Sequence, residues 1–534
     1  MLPSRAVETF GKSNSHAHVL YLFVPVDGVG SNCIEDRPTG WMRRLVYYFL
    51  RRGWWSARVR RTEPLRLAKR STSSANRVVC LGIPDPVVVV PDESMREQNM
   101  IERKKLAIVG GGPKAVAIAA KAAVLNALNL AQVEVTIFES EEIGSHWTGR
   151  NGYTDGEQAL CTPAERDLGF PYNSPWESVS ADLHAQYSWA SFKIDRTAGG
   201  YQSWVDRGRL RPRHSEFAAY LQWAAKRTEA DIQKVRVDRL VARQTKWNVL
   251  KESTPGVYVS AHGDAKRRFD GVVITGPGAA RRVPLQADLH PLLTARVHDG
   301  LSFWKNLETV EKQLKDGDPS DAILVIGGGG TGAAVLAWLV RHGYGSRPLI
   351  LVADQATLFS RGDSVFENAL FSDQAAWERL SPENRDHFFN RLNRGVVWHA
   401  VMEDLAEAQD LVLMDARAKE VIDDKGDLGV EIRKWDGSTE TLPAALVVDA
   451  SGFDPWWFSR LLPSVRWGAI RKRRLAQSMA QSLTFTGSDW TLPPLHVPFL
   501  GSKLGPGFGS LMCLGAMSDL VLSDYALPPG LPGA

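Results

Sequence analysis

Leu106-Ala107-Ile108-Val109-Gly110-Gly111-Gly112-Pro113-Lys114-Ala115 is the stretch that decides the fold. An apolar run stops at a glycine cluster and an alanine-rich segment, residues 116–128, follows; this reads as strand, tight turn and helix. Gly110, Gly112 and Ala115 fill the three small-residue positions of G-x-G-x-x-[GA]. The first glycine of that pattern allows a sharp turn, the second lets the backbone approach a pyrophosphate, and the third small residue lets helix and strand pack closely. The free N–H groups and positive dipole end of the helix then hold phosphate. A second apolar run, Val135-Thr136-Ile137-Phe138, ends at Glu139, where a carboxylate can accept the hydroxyls of an adenosine ribose.

The same pattern occurs twice. Ala322-Ile323-Leu324-Val325-Ile326 leads into Gly327-Gly328-Gly329-Gly330-Thr331-Gly332, a helix over residues 333–340 and a further strand over 348–353. Two such units in one chain are far more specific than either alone, and the simplest account is one site for FAD and one for NAD(P)H. Residues 269–278 end in Thr275-Gly276-Pro277-Gly278, like the returning strand of a two-dinucleotide flavoprotein. The expected fold class is therefore α/β, with two Rossmann-like domains, the FAD domain interrupted by the NADPH domain, and a small helical substrate region.

With 534 residues, 44% hydrophobic and 23% charged, the chain has ordinary globular composition and length for two or three domains. Cys33, Cys80, Cys161 and Cys513 form no C-x-x-C pair. No disulfide framework, zinc site or dithiol centre is expected, and a reducing, cytoplasmic compartment fits. The net charge of +4 is concentrated in residues 1–100, and the near-neutral remainder gives no nucleic-acid footprint. No apolar run reaches the ~18 residues of a membrane-spanning segment.

The expected domains are a basic N-terminal extension over 1–100, a first FAD-binding part over 101–310, an NADPH-binding domain with a helical, substrate-contacting insert over 311–445, and a C-terminal FAD-binding part over 446–534. The extension mixes arginines with aromatics between residues 41 and 77. It reads either as a basic amphipathic arm or, preferably, as a disordered or non-native stretch upstream of a start at Met95 or Met100. Residues 143–156, with His146 and Trp147, look like a loop wrapped around a ligand. A helix starts near Ser215, with Phe217, Leu221, Ala224 and Ala225 as its buried stripe. Residues 446–454 give a third apolar strand ending in small residues. The glycine turn of Gly505-Pro506-Gly507-Phe508 lets backbone N–H groups approach a flavin ring.

Read together, these stretches resemble the flavin-dependent N-hydroxylases of lysine and ornithine that serve siderophore synthesis, most closely the mycobactin-type L-lysine N6-hydroxylases. The resemblance covers residues 104–525 and is carried by Lys114-Ala115-Val116-Ala117, Tyr153-Thr154-Asp155-Gly156, Asp167-Leu168-Gly169-Phe170-Pro171-Tyr172, Leu358-Phe359-Ser360-Arg361-Gly362, Phe366-Glu367-Asn368-Ala369-Leu370-Phe371-Ser372-Asp373 and Gly505-Pro506-Gly507-Phe508. It implies that Gly110, Gly112, Ala115 and Glu139 bind the adenylate half of FAD, and that His146, Trp147, Gly507 and Phe508 lie toward its flavin. Gly327, Gly329 and Gly332 would take the NADPH pyrophosphate, and Asn368 the substrate amino acid. Arg166 falls where the ornithine enzymes have a lysine near the substrate carboxylate; an ion pair with Glu165 or Asp167 is the competing reading. Two departures stand out. Val352-Ala353 replaces the arginine expected for the NADPH 2′-phosphate, leaving Arg361 or Arg341 as substitutes. No second substrate asparagine occurs around Val397-Trp398-His399, which argues against ornithine.

The implied reaction is N6-hydroxylation of L-lysine, free or tethered to a carrier, by NADPH, O2 and a C4a-hydroperoxyflavin, with no catalytic side chain beyond the flavin. The amine, with a pKa near ~10.4 in water, must lose its proton, which a desolvated pocket favours. His146 and His399 read first as structural hydrogen-bonders. Siderophore-assembly enzymes are the expected partners, a homo-oligomer is open, and neither nucleic acid nor an integral membrane segment is expected. The alternatives are a Baeyer–Villiger or sulfur-oxygenating monooxygenase and a non-catalytic flavin-binding partner.

Overall fold

The structure, a computed structural model, describes residues 103–151, 154–176, 178–355, 357–361, 364–392 and 397–527. The expectations for residues 1–100 lie outside the described residues, as do Gly152, Tyr153 and Gly362 and the side chain of Arg361.

The strands are β1 (Lys104–Val109), β2 (Val133–Glu139), β3 (Asp231–Lys234), β4 (Arg239–Arg243), β5 (Lys246–Thr254), β6 (Val257–Ser260), β7 (Gly271–Ile274), β8 (Val297–Asp299), β9 (Ile323–Ile326), β10 (Leu349–Ala353), β11 (Ser360–Arg361), β12 (Val397–Trp398), β13 (Leu411–Asp424), β14 (Asp427–Lys434), β15 (Thr439–Pro443), β16 (Leu446–Asp449) and β17 (Leu495–His496). One parallel sheet has the order β17-β7-β1-β2-β3. Leu106, Ala107 and Ile108 of β1 and Val272, Val273 and Ile274 of β7 are fully buried, as continuous apolar strands covered on both faces must be. The helix Pro113–Ala127 connects β1 to β2. Proline at its first position costs nothing there, and its alanines let it pack closely on the sheet.

The second sheet has the order β15-β14-β13-β10-β9-β16-β8. It is parallel from β13 to β8. The long strand β13 pairs parallel to β10 through residues 411–415 and antiparallel to β14 through 416–424. Ile323 and Val325 of β9 face one apolar cluster and Leu324 and Ile326 the other, so this sheet too is covered on both faces.

Sheet membership groups two further strands with the second glycine turn. β8 precedes residue 311 and β16 follows 445, yet both belong to the second sheet, whose strands run from Val297 to Asp449. β8 has only three residues, too few for a periodicity to mark it. β16, with its small-residue end, pairs with β9 and not with the first sheet. No helix among the described residues is long and apolar enough to cross a membrane.

Candidate active site

The first glycine turn leaves the C-terminal end of β1. Gly110 has φ of 99°, and a Cβ there would lie 2.7 Å from Thr275 Oγ1. Glycine is required on both counts. Thr275, directly after β7, donates to the carbonyls of Val109 and Gly110 at 3.0 Å and locks the turn. The N–H of Gly111 donates to Glu139 Oε2 at 2.6 Å, so the acid at the end of β2 faces the turn.

Gly110, Gly112, Glu139, His146 and Trp147 line one cavity of about 380 Å³. A Cβ on Gly112 would meet no protein atom. Ala115 is fully buried behind the turn, between helix and sheet. The segment Ser145–Trp147 is a single helical turn. Trp147 packs edge-on against His214 and Phe217, at 4.7 and 5.4 Å between ring centres. His214 begins the helix His214–Arg227 and lies 2.9 Å from Thr154 Oγ1. Burial pulls its pKa down to about 4 and lowers that of His146, so both rings are neutral.

The far wall comes from the C-terminal segment: Phe499, Gly509, Ser510 and Leu511. Gly507 and Phe508 are buried just behind it. A Cβ on Gly507 would sit 2.2 Å from the Phe371 carbonyl, so that glycine serves the packing of this loop on the helix Val365–Ser372.

The second turn repeats the geometry at β9. Gly327 has φ of 108° and faces the Ala450 carbonyl. Gly332 packs against the Gly327 carbonyl, where a Cβ would come within 2.1 Å. Gly327 and Gly329 line a cavity of about 640 Å³ that also holds Arg281, Arg282, Asp354 and Arg417. Arg417 pairs with Asp354 and Arg282 with Asp299.

Of the two proposed substitutes for the missing arginine, Arg341 does not line this cavity. Arg341 bridges Asp155 and Asp404 at 2.7 and 2.8 Å. The backbone of Arg361 lies in β11, and its side chain is outside the described residues. Arg341 instead ties the wrapping loop to the second unit. Gln158, just after that loop, donates to the buried Ala334 carbonyl at 3.0 Å.

Asn368 sits half-buried on the helix Val365–Ser372, whose Phe371 touches Gly507. Arg166 donates to Met512 Sδ at 2.9 Å, and its guanidinium lies 5.7 Å from the Phe170 ring centre. The two thus approach the segment 507–512 through different neighbours, and neither lines the two dinucleotide cavities. His399 is exposed and pairs with Glu403, away from the first cavity.

Asp167 is buried and accepts from Tyr172 Oη, Trp189 N and Gly169 N at 2.6, 2.7 and 3.2 Å. Its motif is structural: the Phe170 carbonyl accepts from Gly515 N at the start of the C-terminal helix, at 2.8 Å.

Sequence reasoning missed Lys114, Thr154 and His214 as cavity walls. Thr154 and Lys114 stood in the quoted motifs. His214 carried no periodic or spacing signal, because the cavity is assembled from segments far apart in the chain.

A parallel sheet and a second sheet that is parallel from β13 to β8, each with a glycine turn opening onto a cleft, define a two-dinucleotide α/β protein of flavoprotein type. Residues 180–410 match the family described as L-lysine 6-monooxygenase/L-ornithine 5-monooxygenase. L-lysine N6-monooxygenase MbtG of Mycolicibacterium paratuberculosis is 33% identical over 443 residues, 80% of this chain and 97% of that protein. MbtG of Mycobacterium tuberculosis H37Rv is 33% identical over 440 residues, 79% of this chain and 95% of its own. The solved structure of the lysine monooxygenase NbtG from Nocardia farcinica aligns with a TM-score of 0.63 at 31% identity, covering 78% of this chain and 99% of that one. The chain belongs to the L-lysine 6-monooxygenase/L-ornithine 5-monooxygenase family.

Proposed function

We propose that the chain is an L-lysine N6-monooxygenase that uses FAD, NADPH and dioxygen to hydroxylate the side-chain amine, in the synthesis of a hydroxamate siderophore. The observation that carries this reading is a pair of glycine-turn clefts in a chain matching L-lysine N6-monooxygenases over nearly their whole length. We assign FAD to the first sheet with the C-terminal segment, and NADPH to the strands from Val297 to Asp449.

The residues fit these groups. The Gly110–Gly112 turn and the start of the helix Pro113–Ala127 take the FAD diphosphate. Glu139 keeps acceptor capacity for ribose hydroxyls beyond its bond to Gly111, since an ionised carboxylate has about four acceptor sites. Gly327 and Gly329 take the NADPH diphosphate. We assign its 2′-phosphate to Arg281 and Arg417, which line the cleft into which Ala353 brings no charge.

When bound, FAD supplies the activated oxygen, using electrons from NADPH. The chain's own task is to deliver lysine with its amine uncharged and to keep water out. Trp147, Pro277, Phe499 and Leu511 give the first cleft apolar walls, its two histidines are neutral, and Lys114 adds a cation to its wall. Such walls disfavour an ammonium and so favour the nucleophilic amine. We assign Asn368 and Arg166 to holding the amino acid, free or carrier-tethered. Assembly enzymes that acylate a hydroxylamine would consume the product, and its NADPH demand fits the cytoplasm.

NADPH oxidation by FAD-loaded protein, with L-lysine or L-ornithine and paired with a hydroxylamine assay, tests the reading. Lysine-dependent hydroxylamine that ornithine does not reproduce supports it. Ketone or thioether oxygenation without amine oxidation overturns it.

A further inference from the structure

The helix Pro113–Ala127 buries two lysines, Lys114 and Lys121, 9% and 1% exposed. Seven residues apart, they lie on one face of the helix, two turns from each other. Their surroundings differ in one respect. Lys121 is neutralised: its Nζ lies 2.6 Å from Asp519 Oδ1 and donates to the Gly515 carbonyl at 2.8 Å. Lys114 donates to the Gly509 carbonyl at 3.1 Å, and among the described residues no carboxylate pairs with it. Its titratable neighbour is the Cys513 thiol, which burial pushes up to about 12 and so keeps uncharged.

An ammonium has three donors, and one is used here. A buried charge with no counter-charge is expensive, and burial already pulls Lys114 down to about 8. Yet the residue is not walled in. It lines the first cavity, beside the phosphate-sized turn Gly110–Gly112 on one side and Gly509 and Ser510 on the other. Leucine or methionine would fill the same volume without the cost, so the charge is explained by something that enters the cavity.

We propose that Lys114 supplies the counter-charge for an anionic group of bound FAD, completing in the holoprotein the ion pair that Asp519 already provides for Lys121. The proposal rests on the assignment of this cleft to FAD. Two parts of FAD present that chemistry, its diphosphate and the N1–C2=O edge of the reduced ring. Lys114 is a positioning residue in either case, and the two sources separate experimentally.

The test compares wild type with Lys114→Met, Lys114→Gln and Lys114→Arg. It measures dissociation constants for FAD and ADP, thermal midpoints with and without FAD, and the midpoint potential of the bound flavin. We expect Lys114→Met and Lys114→Gln to weaken FAD binding by about tenfold to a hundredfold, the range of a charge-assisted hydrogen bond, and Lys114→Arg to recover most of it. The FAD-free form of Lys114→Met should melt no lower than wild type, because a buried unpaired charge has gone; a merely structural lysine would lower it. Equal losses for FAD and ADP with an unchanged potential identify the diphosphate. Unchanged ADP binding with a more negative potential identifies the reduced ring. Wild-type affinities and potential in both neutral variants overturn the proposal. Wild type that binds no FAD overturns the assignment of the cleft, and the proposal with it.

Discussion

The N–H of Gly111, at the tip of the first glycine turn, lies 2.6 Å from Glu139 Oε2 at the end of the neighbouring strand. This bond fixes the carboxylate over the turn, and Glu141 N holds the other oxygen at 3.0 Å. The acid is thus oriented before any ligand arrives. Glu139→Ala removes both the acceptor for the ribose and the tie to the turn. It should weaken FAD binding by about tenfold or more, read by fluorescence titration, since hydrogen bonds to charged groups contribute about 1.5–3 kcal/mol. Undiminished FAD binding in Glu139→Ala would contradict this role.

Arg417 lines the second cleft and pairs with Asp354, the residue after Ala353 at the end of β10. An unpaired acid at that point would repel a 2′-phosphate. Arg417→Ala should lower kcat/KM for NADPH by about tenfold or more while leaving NADH little changed, given the strength of a charge-assisted bond. Equal losses for the two dinucleotides would show that the arginine does not read the phosphate.

Asn368 is assigned to the substrate and to neither dinucleotide. Asn368→Ala should raise KM for lysine by about tenfold, the loss of one or two hydrogen bonds, with FAD content and KM for NADPH unchanged. Loss of FAD from this variant would instead make Asn368 part of the packing between the helix Val365–Ser372 and the segment 507–512.

Asp167 gives a pH-dependent prediction. Burial raises its pKa from the usual carboxylate range to about 6, against the pull of Tyr172, Trp189 and Gly169. The native state therefore holds a proton that the unfolded chain has released between about pH 4 and pH 6. Its stabilising contribution is full below that window and is lost as pH rises through about 6. Asp167→Asn carries no titrating proton. Relative to wild type, its stability should increase by on the order of 2 kcal/mol between pH 4 and pH 7 and then stay level. A flat difference across that range in denaturant melts would refute the shift.

How much of this was legible in the sequence depends on the kind of constraint. Gly110 and Gly327 were readable because their backbone demands glycine, and Glu139 because the end of its apolar run is local. The stripe Phe217, Leu221, Ala224 and Ala225 was readable from its spacing, and all four are buried. β8 was not, being three residues added to a sheet edge by pairing alone. Nor was Arg417, which reaches the second cleft because β13 changes from parallel to antiparallel pairing near that residue. Lys114 stood within the decisive stretch, yet its meaning depends on burial and on the missing counterpart of Asp519, neither of which a sequence displays.

The most direct test of the central claim is mass spectrometry of the product formed from L-lysine and NADPH by FAD-loaded protein under 18O2. The account predicts N6-hydroxylysine carrying one atom of 18O, formed only when NADPH is present. Lysine recovered unchanged, free and carrier-tethered alike, while NADPH is consumed and hydrogen peroxide accumulates, would contradict it.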